Sequence, residues 1–156
     1  MIGQPILPIT RKNLEKELKA VSEKLKEMYG MGIPWQHDAG GFHSDLRNNL
    51  SREKRIAEIL SESQIQLPPN NPSRAEYGVR VVVELGEGTE TFLLVSPVDA
   101  TFSRSKRERW LSYESPIGRA ILGLGVGDSF EFTTPDGRKN VGRVIKIIPV
   151  DEAEVS

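Results

Sequence analysis

There is no cysteine in this chain of 156 residues. That excludes disulfides and thiolate metal sites, and it fits a reducing cytoplasm. No stretch approaches the ~20 consecutive apolar residues that span a bilayer. The opening MIGQPILPIT also lacks the charged region and long apolar run of a signal peptide. An excess of one charge is missing too: 21 Lys and Arg face 22 Asp and Glu, for a net charge of -1. No global basic field therefore advertises nucleic acid as the main partner. Together these absences predict a soluble, cytoplasmic protein without membrane contact. Its apolar content of 37% suffices for the modest core of one or two small domains.

What is present first is helical. The segment from Thr10 to Tyr29 contains neither Gly nor Pro, and Thr10 is placed to serve as its N-cap. Leu14, Leu18, Val21, Leu25 and Met28 are spaced 4, 3, 4, 3, the two-in-seven seam of a coiled coil. Lys and Glu fill most other positions, as a solvated face requires. Gly30, Gly32 and Pro34 stop the helix. A second helix is expected from Phe42 to Ser61, with Leu46, Leu50, Ile56, Ile59 and Leu60 as its apolar members. The short Gly- and Pro-containing connection predicts an antiparallel helical hairpin, roughly 30 Å long at about 1.5 Å per residue.

Near residue 68 the pattern changes. Three prolines and two asparagines in Gln66–Pro72 resist both helix and sheet. Beyond them Val79, Val81, Val83 and Leu85 alternate with Arg80, Val82 and Glu84, a strand that Gly86-Glu87-Gly88 turns into a second over Thr91–Ser96. Arg109–Tyr113 is a further strand candidate. Ser115 is placed to cap a short helix over Ser115–Leu122, with Pro116 in the position a helix best accepts proline. Ser129–Thr134 and Val141–Ile148 read as a hairpin joined through Pro135-Asp136-Gly137. The expected architecture is α+β: a helical arm over residues 1–67, a linker over 68–75 and an antiparallel sheet domain with a short helix over 76–156.

One stretch of the sheet domain resembles a known signature. Ser112-Tyr113-Glu114-Ser115-Pro116-Ile117-Gly118-Arg119-Ala120-Ile121-Leu122-Gly123, then Val126-Gly127-Asp128, then the Pro135-Asp136-Gly137 turn, is similar in order and spacing to the C-terminal signature of the Gre transcript-cleavage factors. The N-terminal half agrees in plan, returning through Arg55-Ile56-Ala57-Glu58-Ile59. The resemblance implies a helical finger and an FKBP-like C-terminal domain. It implies binding to bacterial RNA polymerase, with the sheet domain docked on the rim of the secondary channel and the finger directed into it. Contact with the nucleic acid of the transcription complex is then indirect. Carried over residue by residue, the docking surface is Glu114, Ser115, Pro116 and Ile117.

The finger tip departs from that family. Cleaving members carry Asp-Leu-x-Glu-Asn followed by an aromatic residue, and the two carboxylates help hold a second magnesium ion in the polymerase active centre. With Phe42 aligned on that aromatic, Asp38 falls on the Glu position and Trp35 on the Asp position. Asp45 lies about two turns away along the next helix. The finger is also shorter by about two heptads, roughly 10 Å of reach per arm. The resemblance thus implies an accessory factor, not an enzyme, with weak or no cleavage stimulation. It implies no cofactor of the chain's own, any Mg²⁺ being shared with the polymerase. His37, Asp38, His43 and Asp45 fit no metal-ligand spacing and read as a polar tip in water. Trp35 and Phe42 either cap the hairpin against its own seam or form an exposed contact. Arg104, Lys106, Arg107 and Arg109 form a basic cluster, either a solvated loop or an electrostatic contact.

Other functions stay in view. Asp38, with Asp45 or His37, is the pair a true cleavage-stimulating factor needs. Leu122-Gly123-Leu124 and Val126-Gly127-Asp128-Ser129 also resemble the regulator of nucleoside diphosphate kinase, a Gre relative without the long heptad seam. Prolyl isomerase activity requires an apolar aromatic pocket, and aromatics make up only 6% of the chain; fold alone does not carry that function. A coiled-coil and sheet module without a polymerase partner is the remaining possibility.

Overall fold

The computed structural model describes residues 4–30, 42–102 and 108–156. Helix α1 spans Pro8–Gly30 and helix α2 spans Phe42–Glu62. Leu14, Val21, Leu25 and Met28 of the heptad seam are buried, and Leu18 packs at the edge of the cluster that holds Leu14 and Ile56. Ser22 Oγ donates to Glu53 at 2.8 Å, and Arg52 pairs with Glu17. From Leu14 with Ile56, through Ser22 with Glu53, to Met28 with Asn49, rising positions on α1 meet falling ones on α2, so the two helices run antiparallel. A short parallel pair ties the open end of this hairpin: β1, Pro5–Ile6, lies beside β2, Gln64–Ile65.

The remaining strands form one five-stranded sheet, in the order β5-β4-β3-β7-β6. Strand β3 covers Arg80–Leu85, β4 Gly88–Val95, β5 Arg109–Ser112, β6 Ser129–Thr133 and β7 Lys139–Ile148. The class is α+β, as the sequence predicts. All neighbouring pairs are antiparallel except β4 and β5, which run parallel. A parallel neighbour needs a crossover, and helix α3, Pro97–Phe102, sits in it. The alternation of β3 follows from two different packing faces. Val79, Val81 and Val83 join Phe92, Leu94, Ile121, Phe130 and Val144 in the main core. Leu93 and Val95 point the other way, against Leu7, Tyr77, Val150 and Val155. The start of the arm therefore forms part of a core of the sheet domain.

The proline-rich stretch is seated against that domain. Pro68 is buried and lies against the backbone of Gly78, whose φ of 81° suits glycine. Ala75 exchanges backbone hydrogen bonds of 2.7 Å with Leu124 and Gly123.

The joint between arm and sheet centres on Asp99, which is fully buried in α3. Its Oδ1 accepts from the Leu7 N–H at 2.9 Å and from the Thr10 hydroxyl. Its Oδ2 accepts from the Tyr77 hydroxyl at 2.6 Å, the Ser96 hydroxyl at 2.9 Å and the Ser96 N–H at 3.2 Å. Thr10 is consequently not the N-cap that a local reading assigns it. Helix α1 opens at Pro8, whose missing N–H costs nothing in a first turn, and the Thr10 side chain turns to α3 instead. Burial, and next the Asp99 carboxylate, push the Tyr77 phenol pKa well above its ordinary value.

Two outcomes are expected. Asp99→Ala strands several buried donors, so urea unfolding should show a loss of about 3–5 kcal/mol. The Tyr77 effect has a defined sign. With the folded pKa raised, its stabilising preference for the neutral phenol is complete below the unfolded value of about 10 and is lost above it. Stability should therefore fall by up to about 1.4 kcal/mol per pH unit above about pH 10 from this group. In Tyr77→Phe, urea titrations across that range should show a shallower slope.

Candidate functional site

Strand β5 is the edge strand next to β4, and it ends at Ser112. The Tyr113 N–H still donates to Val95 O at 2.9 Å, which carries the sheet one residue past the strand. The chain then turns sharply. Ser115 N–H donates to Ser112 O at 3.0 Å, and the Glu114 N–H donates to Ser112 Oγ at 3.1 Å. Helix α4, Pro116–Ile121, begins immediately afterwards.

Ser115 is the N-cap of α4. Its Oγ accepts from the Gly118 N–H at 3.1 Å and donates to Ser112 O at 2.6 Å. One hydroxyl thus satisfies an orphan helix N–H and pins the turn to the strand before it. Pro116 occupies the first turn, where no N–H is required. Gly118 is the position at which no side chain fits: a Cβ there would overlap the Ser112 carbonyl oxygen. This close approach of helix to strand end lets a turn so short hold its shape. Ile117 is half-buried against the main core, while Glu114 and Pro116 are exposed. Leu122, after the helix, is 47% exposed and adds apolar surface nearby in sequence.

The electrostatics are mild. Burial, followed by the neighbouring Glu114 and by Asp99, raises the pKa of the Tyr113 phenol, so it stays a neutral hydroxyl. Tyr113 sits edge-on to Tyr77, with ring centroids 6.4 Å apart and planes at 68°. The turn is thereby linked to the Asp99 cluster through two aromatic rings. Arg109, the described member of the basic cluster, pairs with Glu90 at 2.7 Å and lies 5.8 Å from the centre of the Phe92 ring. Arg104, Lys106 and Arg107 lie outside the described residues.

Glu114, Ser115, Pro116 and Ile117 therefore form one contiguous, braced turn. Of the tip residues, Trp35, His37 and Asp38 lie outside the described residues. Phe42 is the first residue of α2, and Asp45 is exposed in its first turn. Among the described residues no group of three or more His, Cys, Asp or Glu comes together as a metal site. Local reading assigned no role to Ser112 and Gly118, which shape the turn. Their signal was present, a Ser-x-x-Ser repeat followed by a glycine inside a helix that glycine disfavours.

Residues 70–149 match the family described as transcription elongation factor, GreA/GreB, C-terminal. The chain is 28% identical over 156 residues to the transcription elongation factor GreA of Thermomicrobium roseum, covering 90% of this chain and 96% of that one. It is 26% identical over 152 residues to the protein of the same name from Syntrophobacter fumaroxidans, covering 88% and 95%. Among solved structures it is similar to Thermus aquaticus Gfh1, at 26% identity and a TM-score of 0.43, covering 95% of this chain and 99% of that one. The GreA/GreB factor from Nitrosomonas europaea is 18% identical, with a TM-score of 0.40 and coverage of 95% and 99%.

The turn generates a test of its own. Ser115→Ala should lose about 1 kcal/mol, the usual worth of an N-cap. Gly118→Ala should lose more, about 2 kcal/mol or above, because the new methyl meets backbone that cannot move aside cheaply. Thermal unfolding of both variants beside the native chain checks the order.

Proposed function

The chain belongs to the GreA/GreB family of transcription elongation factors, and from that premise we propose that it binds RNA polymerase at the rim of the secondary channel without efficient stimulation of transcript cleavage. The observation that carries the docking half is the braced turn at Glu114–Ile117. It offers an exposed carboxylate and an exposed proline ring on a turn held by hydrogen bonds of the Glu114 N–H, the Ser115 hydroxyl and the Gly118 N–H. A surface fixed before binding loses little conformational entropy on association.

The second half rests on the tip sequence. Two carboxylates are needed because one neutralises only half of a Mg²⁺ charge and supplies few oxygen ligands. This chain places Trp35 and Asp38 where cleaving relatives place an acidic pair. A shorter arm compounds the deficit, since metal chemistry does not tolerate misplacement on the scale of ångströms. On this reading the factor occupies the channel and alters polymerase behaviour by its presence. Any Mg²⁺ belongs to the polymerase.

A second reading is favoured by the nearly full-length match to proteins named transcription elongation factor GreA. In it the chain does stimulate cleavage, with Asp45 or His37 completing the work of Asp38. The long seam of α1 weighs against a role like that of the regulator of nucleoside diphosphate kinase.

Docking is tested by capture of bacterial core RNA polymerase on the immobilised full chain. The native chain should retain polymerase. Pro116→Ala and Ser115→Glu should each weaken retention about tenfold or more, a loss typical of a residue at the centre of an interface. Native far-UV circular dichroism should accompany the loss in Pro116→Ala. No retention by the native chain, or equal retention by both variants, would sink the docking site.

A further inference from the structure

A second candidate site lies away from the docking turn, where the base of the arm meets the sheet domain. A half-open groove of about 460 Å³ runs between α2 and α3, within the size range of about 300–1,000 Å³ typical of small-molecule sites. Its floor is apolar: Ile56 is 1% exposed, and the half-buried Phe102 packs against the same cluster. Asn48, Ser51, Arg52 and Arg55 line its rim. These four recur at three- and four-residue steps along α2, which places them on one stripe of the helix.

Charge decides what fits. Among the described residues two arginines line the groove, and no carboxylate does. Arg52 leans across to Glu17 on α1, while Arg55 makes no ion pair among the described residues. The two guanidinium groups are three residues apart on one helix face; Glu17 already offsets the charge of Arg52, so the charge left for a bound anion to meet is that of Arg55. A guanidinium fork matches the oxygens of a phosphate better than those of any neutral group. Asn48 and Ser51 add neutral hydrogen-bonding groups beside it. The Phe102 ring supplies a flat apolar surface, and Asn13 Nδ2 steadies that end of α3 by donating to Phe102 O at 3.3 Å.

We propose that this groove binds a small phosphate-bearing ligand with a flat apolar part, the chemistry of a nucleotide. Arg55 holds the phosphate, with Asn48 and Ser51 beside it, and the base lies over Phe102. The position has a consequence. One wall belongs to the arm and the other to α3, which also carries Asp99, so an occupied groove adds a second tie across the same joint. A ligand bound only to the assembled joint stabilises it by mass action.

Calorimetric titration of the full chain with ADP, adenosine and inorganic phosphate tests this. ADP should bind, with adenosine and phosphate each weaker by about tenfold or more, because each supplies only half of the contacts. Arg55→Gln should weaken ADP binding about tenfold or more, the usual scale for losing a charged hydrogen bond. Arg138→Gln, in the exposed turn between β6 and β7, should leave it unchanged. Four results would overturn the proposal: no heat with ADP; phosphate binding as tightly as ADP; equal losses in both variants; or a short single-stranded RNA binding through Arg55 where ADP does not. The last would reassign the groove to a nucleic-acid strand.

Discussion

A single buried carboxylate holds the two parts of this molecule together. Asp99 has no contact with solvent, and it accepts hydrogen bonds from Leu7, Thr10, Tyr77 and Ser96. An ionised group in that position costs several kcal/mol unless its partners are all in place. Two of the partners open the helical arm and two belong to the sheet domain. The cost of burying the charge is therefore offset only when arm and sheet sit in one mutual arrangement. Leu7 strengthens the constraint by entering the core that contains Leu93, Val95 and Val150.

The proposed docking turn stands on the same frame. Tyr77 donates to Asp99, Tyr113 packs edge-on to Tyr77, and Glu114 follows directly. The segment from β4 through α3 to β5 thus carries the anchor of the arm at one point and the proposed contact with polymerase at its end. The arm and the turn therefore share one chain of contacts, from Leu7 and Thr10 through Asp99 and Tyr77 to Tyr113. In the proposed docking, the angle between arm and sheet domain sets where the tip of the arm arrives. Proline-rich sequence between two domains suggests freedom, but here Pro68 and Ala75 are held by the sheet domain.

Much of this was legible because its causes are local. The seam of α1 is five apolar residues at heptad spacing, and the cap of α4 depends on Ser115 and Pro116, adjacent in the chain. The hairpin of β6 and β7 follows from Pro135-Asp136-Gly137, where Gly137 takes φ 87°. The Asp99 cluster was not legible, since its donors come from residues 7, 10, 77 and 96 and no spacing rule gathers them. That also explains the error at Thr10. A threonine before a helical run satisfies the capping rule, and only a carboxylate 89 positions away redirects it. The parallel placement of β5 was hidden for a related reason. Pro97 can open a helix, but the six-residue α3 has too few turns to announce itself by periodicity.

In the proposed function the chain occupies polymerase without making it cut. The most direct measurement is the rate of internal transcript cleavage in backtracked bacterial complexes saturated with the chain. The expected result is a rate close to that of polymerase alone, unaffected by Asp38→Ala. Strong stimulation that disappears in Asp38→Ala would contradict the claim and establish that Asp38 has an effective partner at the tip.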